Sequence, residues 1–389
     1  MRRTREEDVI GDPTNPRNNK TKSKTHMLDE FMETLQERWD SLLEGGNCFA
    51  IDESMIPWYG KYCPIRVYIK GKPYKYGMKL WQLDDWPTGY CRGFRMYPGR
   101  GDRWPHETPE SMAGWSYAER VVMCLTRNLK RGCFFTIDRN FMTPRLAIYM
   151  KKERGMYITG TMKRNTKYID KDVLFKKSVR VPRGFYNWSE DAENGVTQCC
   201  WMDREAVPFC SGGFGARTVG TDRLTSHQVE ALAGSRKVKS KRMKSPHCST
   251  IYNGTMWTVD IDDFQALNQG TSWERGCRSR TWWYIGLWGL LDRTAVNVFI
   301  IMKGRKAPAV VRHNVFNQTL MTQLFHIARK QNPIRDLSAA GTVEEYDFSI
   351  LWPSAPVSFH NPLPDGEVRE EVAKEVKAMV FPGHRKGSC

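Results

Sequence analysis

The spacing of apolar residues divides the chain into stretches of different period. Over residues 26–44, Leu28, Phe31, Met32, Leu35, Trp39 and Leu42 recur at three- and four-residue steps, which predicts an amphipathic helix. Gly45–Gly46 stops it. Strand-like runs follow. Cys48–Ile51 is short and apolar and ends in Asp52; Ile65–Ile69 alternates; Met78–Leu83 is bounded by Gly77 and the Asp84–Asp85 pair. Tryptophan and proline then mark a loop-rich region through about 110. A helix is predicted from about 115 to 129, with Val122, Leu125 and Leu129 on one face. Cys133–Ile137 reads as a strand ending in Asp138. Pro144 suits the first turn of a helix running to Met150, and Met156–Thr159 reads as a fifth strand.

Three strands, helix, strand, helix, strand, with two strands closed by an aspartate, is the outline of a ribonuclease-H-like α/β core. From about 165 to 250 the period blurs. Basic residues, Gly and Ser dominate around short apolar pieces such as Val207–Phe209, which predicts an insertion carrying some strand and a basic loop at 234–246. Regular structure resumes near 251, with a helical pattern in the 260s, a long apolar helix over 282–302 and another helix near 315–330. A Pro-rich tail holds an amphipathic piece near 367–380.

The apolar run at 282–302 is long enough to span a bilayer, but Asp292, Arg293 and Asn297 lie in its second half. A charge near a bilayer centre costs about 2.5–3.5 kcal/mol, so a buried helix is the better reading. The 389 residues exceed what one core usually serves, and 40% apolar content belongs to a folded protein. The net charge of +17 changes the picture more, because it is clustered. Arg236–Lys244 is one cluster; Lys151–Lys152–Arg154, Lys163–Arg164–Lys167 and Lys176–Lys177–Arg180 are others. Such clusters point to a polyanion, and with no lipidation or amphipathic membrane signal nucleic acid is favoured over a membrane. Eleven cysteines without CxxC spacing fit reduced intracellular thiols. The N-terminus lacks the apolar run of a signal peptide, and residues 1–25 read as a disordered basic tail. The eight histidines are scattered and make no zinc spacing. Gly212–Gly215 lacks the lysine of a phosphate-binding loop.

Candidate chemistry lies in the aspartates. Phosphodiester cleavage and transfer commonly use two divalent ions about 3.5–4 Å apart. Mg²⁺ prefers a few carboxylates with water and phosphate. Asp52 and Asp138 at strand ends suit such a site, and a third carboxylate must come from elsewhere, with Asp260, Asp262 and Asp263 the evident source. Taken singly, a strand-terminal Asp is more often a turn residue, and an Asp cluster before a helix is more often a cap.

The local sequences shift that balance. Ile51–Lys61, IDESMIPWYGK, resembles the first catalytic strand of the piggyBac family of DNA transposases and the turn after it. Tyr68–Lys79, YIKGKPYKYGMK, is similar to the family's Tyr-x-x-x-Lys-Pro-x-Lys-Tyr/Phe-Gly-x-Lys pattern, with Lys72, Pro73, Lys75, Tyr76, Gly77 and Lys79 in place. Gly99–Arg100–Gly101 looks like the Gly-Arg/Lys-Gly that follows the third strand. Thr136–Pro144, TIDRNFMTP, resembles the second catalytic strand, and Gly160–Arg164, GTMKR, is similar to the family's Gly-Thr-x-Arg-x-Asn stretch that follows, with Asn165 fitting its last position. Trp201–Gly215 looks like strands of the family's insertion. Tyr252–Asp263, YNGTMWTVDIDD, is similar to the stretch holding the third catalytic aspartate. Arg278–Lys303 resembles the basic turn, Trp-Trp and long helix with an internal Asn. The departures are Arg139, where the family has Asn, and Trp257–Thr258, where it has two glycines. Set against the family pattern, the longer N-terminal part is expected to be mostly missing ahead of residue 26, and the cysteine-rich C-terminal domain to have no counterpart.

The resemblance implies cut-and-paste transposition, with Asp52, Asp138 and Asp260 catalytic and, with Asp263, holding two Mg²⁺ for which Mn²⁺ can substitute. It implies hydrolysis at a transposon end, hairpin formation by the freed 3′-hydroxyl, and joining at TTAA. Its partners are then double-stranded DNA, in the form of terminal repeats and target, and a second copy of the chain, in the nucleus and without a membrane. The DNA-binding candidates are Lys72, Lys75, Lys79, Arg100, Lys163, Arg164, Arg236, Lys237, Lys239, Lys241, Arg242, Arg278, Arg280 and Trp282, the last as a base-stacking residue. The expected organisation is a tail (1–25), a remnant of a helical dimerisation and DNA-binding domain (26–46), the first part of the core (47–165), the insertion (166–250), the last part of the core (251–275), a helical DNA-binding part (276–345) and a tail (346–389). A second reading is a transposase-derived DNA-binding protein without catalysis, favoured by Arg139, Trp257–Thr258 and the short ends. A third is a structural chromatin protein using only its basic patches.

Overall fold

Alternating side-chain direction along a few long strands decides which residues face the site. In the computed structural model the described residues are 24–44, 46–99, 113–176, 179–223, 241–268, 279–304, 313–331 and 357–358. Helix α1 (Asp29–Leu42) leads into strands β1 (Cys48–Pro57), β2 (Arg66–Tyr68), β3 (Tyr76–Asp85) and β4 (Tyr90–Met96). Helix α2 (Tyr117–Leu125), strand β5 (Phe134–Ile137), helix α3 (Pro144–Lys152) and strand β6 (Tyr157–Thr161) follow. Then come β7 (Tyr186–Asp191), β8 (Val196–Met202), β9 (Ala206–Ser211), β10 (Thr218–Arg223) and β11 (Lys241–Pro246). Four helices follow: α4 (His247–Thr255), α5 (Thr258–Asn268), α6 (Trp282–Gly304) and α7 (His313–Gln331).

Nine strands form one mixed sheet in the order β2-β3-β1-β5-β6-β9-β8-β7, with β4 also paired to β3. The centre, β1-β5-β6, is parallel, and the flanking pairings are antiparallel. Three strands of the 166–250 stretch extend this same sheet, because β9 pairs with β6. Within that stretch β10 and β11 instead form a separate two-stranded ribbon, and the short segments Leu43–Glu44 and Val357–Ser358 pair in parallel apart from the main sheet. Strand β4 falls where a loop was expected; Tyr90, Cys91, Phe94 and Met96 are buried in it, and the surrounding Trp and Pro residues obscure that pattern. Asp52 does not end its strand either. β1 runs on to Pro57, with Ser54–Pro57 all buried.

Successive strand residues point to opposite faces. Phe49 and Ile51 of β1, Trp81 and Leu83 of β3, and Phe135 and Ile137 of β5 pack into one core with α2 and α3. On the opposite face Ile56, Met78 and Leu80 meet α1 and α6. The even-numbered Asp52 and Thr136 therefore turn toward the side carrying α4, α5 and α6. Capping fixes the helices of the first face. Ser116 and Glu119 form a reciprocal capping box on α2, and Thr143 caps α3 just ahead of Pro144.

Helix α6 packs against β1 at glycine. A Cβ on Gly289 would lie 2.6 Å from Ile56 and one on Gly286 2.8 Å from Leu28. This helix is long and apolar enough to cross a membrane, yet 67% of its most apolar window is buried within the fold. One and two turns beyond Gly289, Arg293 and Asn297 face the same way. Asn297 holds the backbone of Cys91 from both sides, accepting from its amide at 2.9 Å and donating to its carbonyl at 2.8 Å.

Candidate active site

The parallel register brings the first two aspartates together. Ile51 is the partner of Ile137 in the β1–β5 ladder, so the residues that follow them, Asp52 and Asp138, stand side by side on strands about 4.8 Å apart. Asp138 leaves the strand into a turn held by the amides of Phe141 and Met142 on its carbonyl. The Asp138 carboxylate accepts from Asn140 at 3.2 Å and from the Thr161 hydroxyl at 3.5 Å. Thr161 follows Gly160, the β6 partner of Ile137. A Cβ on Gly160 would stand 2.3 Å from the Ile137 carbonyl, so glycine is what permits this close approach.

Asp260 arrives from another element. It lies in the first turn of α5, and the turn before α5 is tied to β5 by the Thr255 hydroxyl donating to that of Thr136 at 3.1 Å. Trp257 and Thr258, which replace the family's glycines, satisfy themselves within this turn, through the Gly254 and Thr255 carbonyls. Electrostatics records the convergence. The Asp52 carboxyl is pushed up to about 7, chiefly by burial; the Glu53 amide and Lys72 pull against this, and the charges of Asp138 and Asp260 add to it. The Tyr252 phenol, within reach of Thr161, is also raised, first by burial and then by Asp138 and Asp52.

A cation already sits among these groups. The hairpin between β2 and β3 is closed by the Ile69 amide on the Lys75 carbonyl. It places the Lys72 ammonium 3.4 Å from Asp260 Oδ1 and 3.8 Å from Asp263 Oδ2. Burial disfavours the charged lysine, but Asp263, Asp260 and Asp52 outweigh it and raise its pKa. Asp263 turns inward, with Oδ1 accepting from Arg293 at 2.8 Å and from the Met55 amide at 3.4 Å. Among the described residues no three His, Cys, Asp or Glu side chains gather closely enough to cage a metal ion. The donor chemistry, hard carboxylate oxygens around a bound ammonium, nevertheless suits a hard divalent cation.

Behind α5 lies a buried network that sequence reasoning missed. Arg293 is 1% exposed. It lies 3.7 Å from Asp262 and also donates to Ser54 Oγ and the Met55 carbonyl. Gln82 donates to Asp262 at 2.8 Å. Burial raises both Asp262 and the neighbouring Asp84; the charge of Asp262 adds to the rise at Asp84, and that of Asp263 to the rise at Asp262. Arg293 thus clamps α5, which carries Asp260 and Asp263, onto β1, which carries Asp52. Its signal in the sequence was a charge inside an apolar helix.

The DNA-binding candidates separate by position. Lys75, Lys163, Arg164, Arg242 and Arg280 are exposed, although Arg164 also donates to the Phe175 carbonyl. Lys79 pairs with Glu53 at 3.6 Å and lies against the Trp81 and Tyr97 rings. Trp282 is half-buried against the core under α6. Lys241 opens β11. Arg100, Arg236, Lys237, Lys239 and Arg278 lie outside the described residues. Arg139 is exposed, and no ion pair joins it to Asp138 among the described residues.

Residues 10–299 match the family model described as Transposase IS4. The chain is 27% identical over 257 residues to PiggyBac transposable element-derived protein 3 of Homo sapiens, a match covering 63% of this chain and 40% of that protein. It is 26% identical over 229 residues to PiggyBac transposable element-derived protein 2 of Homo sapiens, covering 58% of this chain and 37% of that protein. The fold is similar to that of a piggyBac transposase synaptic complex with hairpin DNA, with a TM-score of 0.63 and 20% identity over 85% of this chain and 63% of that one. The chain spans less than half the length of these curated relatives. It belongs to the Transposase IS4 family, and within it to the piggyBac type.

Proposed function

We propose that the chain is the metal-dependent catalytic part of a cut-and-paste DNA transposase, built on a ribonuclease-H-like core. The observation that carries this reading is the placement of Asp52 and Asp138 at neighbouring parallel-register positions, with Asp260 brought to them by α5. Asp52, Asp138 and Asp260, with Asp263 beside them, would hold two Mg²⁺ or Mn²⁺. Bound there, the metals would supply a nucleophile at neutral pH and neutralise charge developing on the phosphate. The chain's own part is to hold the carboxylates. The β1–β5 ladder fixes two of them, Arg293 and Thr255 fix the helix bearing the third, and Asn140 and Thr161 orient Asp138. The exposed basic residues would grip DNA phosphates. Cleavage of terminal-repeat DNA, joining at TTAA, a homodimeric assembly and a nuclear location complete this reading. It is tested by counting bound Mn²⁺ by electron paramagnetic resonance. Wild type should take up Mn²⁺, and Asp52→Asn should take up markedly less; equal uptake by both overturns the site.

One observation favours a second reading, a DNA-binding derivative without catalysis. The Lys72 ammonium sits within ion-pair reach of Asp260 and Asp263, where it neutralises the cluster without a metal.

A further inference from the structure

The hairpin that carries Lys72 also presents aromatic side chains to solvent, and packing does not account for them. Tyr68 and Tyr76 are register partners across β2 and β3, yet they are 54% and 41% exposed. Their rings lie 4.9 Å apart, and Tyr59, 65% exposed, lies 6.3 Å from Tyr76. A tyrosine on an edge strand ordinarily turns its ring onto the sheet face, because exposed aromatic surface forgoes burial. Here three rings form one outward patch. Cations surround it: the Arg66 guanidinium lies 5.5 Å from the Tyr76 ring centre, and Lys61, Lys70 and Lys75 are exposed on the adjoining loops.

We propose that Tyr59, Tyr68 and Tyr76 form a stacking platform for unpaired bases of a DNA strand beside the catalytic site. Charge complementarity selects this occupant. An apolar protein partner would not be favoured by a rim of Arg66, Lys61, Lys70 and Lys75. Aromatic faces interleaved with cations suit bases strung on a phosphate backbone. Duplex DNA, with its bases stacked inside, offers such rings no partner. The place is also apt. Tyr68 and Tyr76 flank the hairpin whose Lys72 reaches Asp260, so a strand separated at a cut would meet the rings as its phosphates meet the lysines. This inference rests on the reading of the chain as a DNA-processing protein.

The test compares three labelled probes at fixed salt: a dT12 oligonucleotide, an abasic strand of the same length and charge, and a duplex. Wild type should bind dT12 more tightly than the abasic strand. The triple variant Tyr59→Ala, Tyr68→Ala, Tyr76→Ala should lose about tenfold or more on dT12, the scale of a single base stack, while its duplex and abasic affinities stay within about twofold. The triple Tyr→Phe variant keeps the rings and should retain the dT12 preference, which separates stacking from misfolding. Equal binding of dT12 and the abasic strand by wild type overturns the platform, as does a triple Ala variant that keeps the preference. A dimer that dissociates in the Ala variant without change in dT12 binding would assign the patch to a second copy and overturn it as well. Failure to bind any of the three probes would overturn the DNA-processing reading itself, a result distinct from selective loss of the base preference.

Discussion

Arg293 Nη2 lies 2.8 Å from Asp263 Oδ1, and both side chains are almost wholly buried. This pair joins the helix bearing the third candidate ligand to the strand bearing the first, through the further bonds of Arg293 to Ser54 and Met55. Removing one member of a buried pair leaves the other charge uncompensated, at a cost of about 3–5 kcal/mol. Arg293→Met should therefore lower the unfolding free energy by that amount in urea denaturation. A loss below about 1 kcal/mol would mean that the clamp is not what holds α5.

Lys72 makes the opposite kind of prediction. Its ammonium occupies space beside carboxylates that a metal would need. Asp260 is largely exposed, so the ion pair is worth no more than about 1 kcal/mol. Lys72→Met should then tighten Mn²⁺ binding in the absence of DNA by up to about fivefold. A weaker Mn²⁺ affinity in Lys72→Met would show that the lysine supports the site and does not compete for it.

Asp85 gives a pH dependence away from the metal candidates. Burial pushes its carboxyl up to about 7, against a bond from the Thr88 hydroxyl and the charge of Arg92. The folded protein holds this proton more tightly than the unfolded chain does. The stability so contributed is full below about pH 4 and is lost as pH rises through about 7, at most about 4 kcal/mol. Asp85→Asn, which keeps the shape without the charge, should raise the melting temperature at pH 8 and leave it nearly unchanged at pH 4. Equal shifts at the two pH values would contradict a raised Asp85.

The legible parts of the fold were those set by short-range pattern. The helix at 26–44, the apolar strands before Asp52 and Asp138, the Pro144 helix and the long helix beyond 282 all followed from period and caps. β4 was missed because its buried Tyr90, Phe94 and Met96 lie among the prolines and tryptophans of a stretch that reads as loop. The candidate aspartates stood out chiefly through resemblance, since nothing local distinguishes Asp138 from a turn residue. Sequence could not place Lys72 within the cluster, because its position depends on a hairpin reaching a helix 188 residues away. Arg293 was visible as a charge in an apolar run, but its partners, 30 and 239 residues distant, were not.

Arg139 stands beside Asp138, is exposed, and leaves that carboxylate to Asn140 and Thr161. The replacement of the family's Asn is therefore expected to be compatible with catalysis. The most direct measurement is nicking of a piggyBac-type terminal-repeat duplex in Mn²⁺ or Mg²⁺ by wild type, Asp138→Ala and Arg139→Asn. If catalysis survives Arg139, wild type and Arg139→Asn should both nick the DNA and Asp138→Ala should not. Wild type that binds the duplex but stays inert, alone or together with Arg139→Asn, would contradict it and leave a transposase-derived DNA-binding protein.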